Sequence, residues 1–220
     1  MRVLLPKWSP DGRQIAFAAS FPGRPWNIYL ISAEGGTPKQ VLPDAEDRVD
    51  GNWSSDGNSL FFGSFGGNLH GQHPISILDL RTAQISTLPG SVGLFSPRLS
   101  PDAHYMCAIT SEEPFRLMLF DFSTQQWTRL FASDVGYPSW SHDGSYIYFE
   151  RNHFGHARSK SVDRIRVSDR KSESIVDLKN LGRSATGTIT EWIGLAPDDS
   201  PLLARDISTH EIYSLQLYVP

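Results

Sequence analysis

A chain of 220 residues with 39% hydrophobic and 11% aromatic residues can build a packed core, and its 20% of charged residues, mixed in sign, excludes a disordered polymer. The formal charge of −4 removes the broad positive field that non-specific nucleic-acid binding requires, so no direct nucleic-acid contact is expected. The single cysteine, Cys107, excludes an internal disulfide and a multi-thiolate zinc site. No run approaches the ~20 apolar residues of a membrane helix, and Met1 to Lys7 lacks an apolar stretch of signal-peptide length, so no membrane insertion is expected.

Arg2 to Trp8 reads as a strand and leads into the phrase Trp8-Ser9-Pro10-Asp11-Gly12. A β-prone run follows at Gln14 to Ala18, an alternating run at Asn27 to Ile31, and a short fourth strand at Lys39 to Leu42. The series then repeats. Arg48 to Trp53 leads into Trp53-Ser54-Ser55-Asp56-Gly57, followed by Ser59 to Gly63, Ile75 to Leu80 and Gln84 to Leu88. The third copy turns at Leu99-Ser100-Pro101-Asp102-Ala103, with strands at Tyr105 to Thr110, Arg116 to Phe120 and Trp127 to Leu130. The fourth turns at Trp140-Ser141-His142-Asp143-Gly144, with strands at Tyr146 to Glu150, Asp163 to Val167 and Ser174 to Asp177. The fifth turns at Leu195-Ala196-Pro197-Asp198-Asp199 and shows only Pro201 to Ala204 and Glu211 to Leu215 after it.

The repeated aspartates fall at 11, 56, 102, 143 and 198, a period of the size of a four-stranded propeller blade. The predicted fold is all-β: a β-propeller of about five four-stranded antiparallel blades, or a fragment of a six-bladed or larger ring. It occupies 1–220 as one domain, with repeats at about 1–43, 44–90, 91–133, 134–182 and 183–220.

The repeated phrase has a local mechanism. Pro presets φ, Asp bonds the backbone ahead of it, and Gly accepts a positive φ, so Asp11, Gly12, Asp56, Gly57, Asp102, Asp143, Gly144 and Asp198 are assigned to tight turns on one common face. Trp8, Trp53 and Trp140 stand at the end of the innermost strand and are expected to fill the wedge between blades. Cys107, in the run Tyr105 to Ile109, is expected to be a buried, inert thiol.

The phrase Trp-Ser-Pro-Asp-Gly, followed by Ile-Ala-Phe and Ile-Tyr-Leu strands, resembles the TolB-type propeller repeat, also called WD-like, over nearly the whole chain. The Trp-Asp dipeptide and Gly-His pair of WD repeats are missing from their places, and Gly35-Gly36 and Gly66-Gly67 do not recur in the register of Kelch repeats. The end of the chain is similar to the C-terminal propeller of bacterial regulators, in which a winged-helix module or a kinase precedes the propeller. Strand counting leaves the last blade without an outer strand, since Arg2 to Trp8 already serves as an inner one; an open edge there would invite pairing between chains.

No nucleophile elbow, His-Glu-x-x-His, phosphate loop or dinucleotide fingerprint is present, and no cofactor is implied. Two His-x-x-His pairs, His70/His73 and His153/His156, fall in equivalent loops of copies two and four. With Arg151 and Arg158 they are candidate ligand contacts on the loop face, although non-adjacent copies do not supply the three or four converging ligands of a metal site. The segment from Arg151 to Arg183 carries a balance of +5, leaving −9 on the remainder; Arg164 and Arg166 alternate in it like a solvated strand face. Five-bladed propellers include glycosidases that use paired carboxylates, and Asp50, Asp134 and Glu191 near the inner strands are candidates for such a pair, though nothing in the sequence separates them from loop acids. The expected function is a non-catalytic module binding a protein, peptide or small ligand over its loop face or channel mouth. The alternatives are the sensor half of a longer regulator, the lid of a prolyl-oligopeptidase-like peptidase, and a glycosidase.

Overall fold

The computed structural model describes residues 1–44, 46–64, 73–151, 161–181 and 193–205. Blade 1 contains β1 (Arg2–Trp8), β2 (Gln14–Ser20), β3 (Asn27–Ser32) and β4 (Gly35–Gln40), and blade 2 contains β5 (Val49–Trp53), β6 (Ser59–Gly63), β7 (Ser76–Asp79) and β8 (Ile85–Thr87). Blade 3 contains β9 (Leu94–Leu99), β10 (Tyr105–Thr110), β11 (Leu117–Asp121) and β12 (Gln126–Phe131), and blade 4 contains β13 (Val135–Trp140), β14 (Tyr146–Arg151), β15 (Ser161–Arg166) and β16 (Ser172–Asp177). Each is a four-stranded antiparallel sheet in chain order; β17 (Ile193–Leu195) and β18 (Pro201–Leu203) form a further antiparallel pair. The strand expected at Glu211 to Leu215, and with it the open edge, lies outside the described residues.

The first strand of each blade packs against the first strand of the next, β1 on β5, β5 on β9, β9 on β13 and β13 on β17, so these strands are innermost and β4, β8, β12 and β16 are peripheral. The central strands bury both faces, which explains why they read as continuous apolar runs. In β6, Leu60 and Phe62 pack toward blade 1 with Ala16, Ile28 and Trp53, whereas Phe61 packs toward blade 3 with Met106, Ala108 and Phe120. In β14, Ile147 and Phe149 join Cys107, Ile109 and Leu117 of blade 3, whereas Tyr148 joins Val162, Leu178 and Ile193. The core is therefore a series of wedges between blades, and alternation sends successive side chains into different wedges.

Three local expectations are revised. The fourth strand of the first copy is Gly35–Gln40 rather than 39–42: Gly35 and Gly36, at φ +90° and +108°, turn the chain early, and Leu42 leaves the ladder to pack against blade 2. Trp53 and Trp140 do pack between blades, but Trp8 is 61% exposed, because it lies on the face of blade 1 that looks away from blade 2. Arg164 and Arg166 are not simply solvated: Arg164 lies 4.3 Å over the Tyr146 ring and bonds Glu173, and Arg166 bonds the Tyr146 hydroxyl and Asp169.

Candidate functional site

The Ser–Asp bonds of the turns are local, and the fourth and fifth turns are also joined to each other by His142 and Asp199. In the first, Ser9 Oγ donates to Asp11 Oδ1 at 2.6 Å and accepts from the Gln14 N–H at 2.9 Å, the Arg13 N–H donates to Asp11 Oδ1 at 3.0 Å, and Gly12 sits at φ +69°. Ser54 with Asp56, Ser100 with Asp102 and Ser141 with Asp143 repeat the pattern. The hydroxyl and amide donors hold these carboxyls below their ordinary range, Asp56 and Asp102 at about 2. Ala103 and Asp199 occupy the glycine position at φ +60° and +64°, and in the fifth turn Ala196 replaces the serine, leaving Asp198 only the Ser200 amide and hydroxyl. The serine hydroxyls and one oxygen of each aspartate in the first four turns are taken up by the turn itself.

A second repeated feature lies six residues before Asp11, Asp56, Asp102 and Asp143. Leu5, Asp50, Ser96 and Tyr137 take φ values of +52°, +58°, +56° and +49°, at places where the pairing of the innermost strand with its neighbour slips register. Four non-glycine residues in the left-handed region at one repeat position is a backbone device: a bulge re-aims side chains and costs of order 1 kcal/mol at each site. Two positions on, Lys7, Asn52, Arg98 and Ser139 occupy equivalent sites, opposite Ala16, Phe61, Cys107 and Tyr148.

On blades 1 to 3 these positions gather a charged cluster along the axis side of the sheets. Arg98 Nη1 donates to Asp50 Oδ2 at 2.8 Å, Ser96 Oγ donates to the same oxygen at 2.8 Å, and Asn52 Nδ2 donates to the Asp50 carbonyl at 3.0 Å. Asp50, Asn52, Ser96 and Arg98 are all buried. Burial works against the charge on Asp50, but Arg98 and then Lys7 outweigh it with the help of the two side-chain hydrogen bonds, so the carboxyl stays below its usual range. The ammonium of half-buried Lys7 has no hydrogen-bond or ion-pair partner among the described residues; burial first, and repulsion from Arg98 second, bring its pKa down to about 8. Asp50 Oδ1 and Arg98 Nε are enclosed without a hydrogen-bond partner among the described residues.

The tryptophans fasten this cluster to the blades. Trp53 Nε1 donates to the Lys7 carbonyl at 3.0 Å, and Trp140 Nε1 donates to the Arg98 carbonyl at 2.9 Å, in each case reaching back to the preceding blade. The loops between second and third strands lie at the end where the inner strands begin: the Trp26 N–H bonds Asp47 Oδ1, the Phe115 N–H bonds Asp134 Oδ1, and the Gly93 N–H bonds the His73 carbonyl. That end therefore opens onto the bulge residues, while the Asp-Gly turns occupy the other.

Of the residues singled out in the sequence, Asp50 belongs to the axis cluster and is no loop acid; its signal was a place in the repeat, not a motif. Asp134 is a cap for the Phe115 amide. His73 Nδ1 lies 3.9 Å from Glu46, and Arg151 lies 3.6 Å from Asp163 and over the Phe131 ring, both on the loop end. His70, His153, His156, Arg158 and Glu191 lie outside the described residues. Among the described residues no three His, Cys, Asp or Glu side chains converge as metal ligands. Cys107 is buried and its thiol is pushed up to about 12 by that burial. Lys7 and Arg98, which carry the site, were not singled out: each stands beside a tryptophan or leucine in a strand and reads locally as an ordinary exposed basic residue.

Four antiparallel blades around a common axis, with cores between them, define a β-propeller. Residues 2–178 match the TolB beta propeller domain, and the chain belongs to that family. TolB from Acinetobacter baumannii superposes with a TM-score of 0.67 at 20% identity, covering 90% of this chain and 52% of that one. Putative TolB from Agrobacterium tumefaciens gives 0.71 at 20% identity, over 92% of this chain and 73% of that one. A 55-residue stretch is 36% identical to the uncharacterized peptidase YuxL of Bacillus subtilis (strain 168), a match covering 25% of this chain and 8% of that protein. The chain spans about half the length of the Acinetobacter structure.

Proposed function

We propose that this propeller is a non-catalytic binding module that takes a protein or peptide segment over the end where the second-to-third-strand loops emerge, with the mouth of the axis as its recognition site. The observation that carries this reading is the bulge series: one strained backbone geometry repeated on four blades places four different chemistries at one end of the ring, half-buried Leu5 and Tyr137 and the buried pair Asp50 and Ser96 that holds Arg98. Catalysis has less support. Asp50 is held ionised by Arg98, the turn serines are bonded to their own aspartates, and Asp134 caps a backbone amide, so none of these is poised as a nucleophile or a proton donor. Peptide display against the purified chain tests the reading: binders are expected, and they should be lost when Tyr137 and Leu5 are replaced by Asp. Hydrolysis of peptide esters, arabinan or xylan, abolished by Asp50→Asn, would overturn it.

The identity with a peptidase favours a second reading, a propeller that works beside a hydrolase domain of a longer protein. The open reading frame around the coding sequence distinguishes the two.

A further inference from the structure

The axis cluster holds two cations and one anion. Arg98, on blade 3, spends Nη1 on Asp50 of blade 2, and its Nε is enclosed; Lys7, on blade 1, is half-buried and feels both charges without bonding either. The group therefore carries one net positive charge in a partly desolvated place, where a charge of opposite sign is bound far more strongly than in water. Its capacity is one charge: a dianion would place its second charge close to the Asp50 carboxylate, which like-charge repulsion disfavours. Leu5, half-buried two residues before Lys7 on the same strand, adds an apolar side chain that suits an amino-acid polymer, whereas Tyr137 of blade 4 packs toward Tyr148, Val162 and Ile193.

We propose that this cluster is a monocarboxylate site, in which Lys7 Nζ, backed by the Arg98 guanidinium, receives a carboxylate of the bound peptide. The inference rests on the binding-module reading and names the chemistry it recognises. Lys7 is the contact residue; Asp50 and Ser96 position Arg98 and fix the capacity of the site at a single charge.

The tryptophan latches provide the readout. The Trp53 indole N–H bonds the carbonyl of Lys7 and the Trp140 indole N–H bonds that of Arg98, whereas the Trp127 indole bonds Pro89 on the outer side of its blade. The whole chain is titrated, with indole N–H resonances followed by NMR, using acetyl-trialanine with a free C-terminus, the same peptide amidated, and an amidated acetyl peptide with a central glutamate. Saturable shifts of the Trp53 and Trp140 signals are expected with a carboxylate probe, with Trp127 unmoved. Response to the first probe alone assigns a C-terminal carboxylate, and response to the third assigns a side chain. Lys7→Met should weaken binding about ten-fold, as loss of one charge-assisted hydrogen bond implies, and Lys7→Arg should restore most of it. Equal shifts with the amidated trialanine, tighter binding of inorganic phosphate, or no shift with any probe overturns the carboxylate assignment. Peptides selected by display that bind Lys7→Met as well as the parent chain would overturn it too while leaving the binding-module reading intact. That reading itself falls if display selects nothing.

Discussion

The two ends of each inner strand are built on opposite rules. At the turn end the same side chains recur, Ser, Asp and Gly, and their hydrogen bonds close within six residues. At the bulge end the same backbone recurs, a left-handed residue six positions upstream, but the side chains differ from blade to blade. Repetition of side chains marks what every blade needs in order to fold. Repetition of an unfavourable backbone with varied side chains marks what the ring does collectively, since there polar and charged side chains of three blades meet beside the axis.

The comparison predicts that the axis is the more costly end to disturb. Arg98→Met leaves Asp50 ionised, buried and unpaired, and should cost about 3–5 kcal/mol in urea unfolding, with much of it recovered in the double variant Asp50→Asn/Arg98→Met. A loss no larger than that of a turn substitution would show that the cluster is solvated. Next come the latches. Trp53→Phe and Trp140→Phe each strand a backbone carbonyl and should cost about 1–3 kcal/mol. Trp8→Phe, on the exposed face, should stay within about 0.5 kcal/mol. An equal cost at Trp8 would mean that the first blade is covered in solution.

Lys7→Met should stabilise the free chain by on the order of 1 kcal/mol near neutral pH, since the lysine is partly desolvated but still reaches water. The folded pKa of about 8 lies below the ordinary 10.5, so between those values the unfolded chain binds more protons. The parent protein therefore gains stability as pH rises through that window, and the advantage of the variant should fade across it in thermal unfolding. An undiminished advantage at high pH would place the gain in packing instead.

At the turn end, Ser54→Ala should cost about 1 kcal/mol. Asp56 and Asp102 have folded pKa values of about 2 against an ordinary 3.8, so their contribution is complete above the ordinary value and lost as pH falls toward 2. Ser54→Ala should flatten that acid loss. Ala103→Gly, relieving a left-handed alanine, should be the smallest effect, a gain of about 0.5 kcal/mol.

Spacing and local chemistry were enough to read the blades. The Ser-Pro-Asp-Gly phrase is a complete turn whose bonds span few residues, and the runs at Leu60 to Gly63 or Tyr146 to Glu150 alternate between two wedges that are both apolar, so periodicity and composition determine the sheets without knowledge of their neighbours. The inner strands are different. Nothing in Leu5-Pro6-Lys7 or Asp50-Gly51-Asn52 announces a left-handed bulge, because its strain is compensated by contacts between blades. The pairing of Asp50 with Arg98 joins residues on different sheets, 48 positions apart. Trp8, Trp53 and Trp140 are indistinguishable in sequence, yet two are latched to carbonyls of the preceding blade and one is exposed. The sequence by itself determined the repeat, the turn and the burial of the central strands, all local or periodic properties. Only the tertiary structure decided which charged residues share the axis, because ring geometry converts one repeat position into a site.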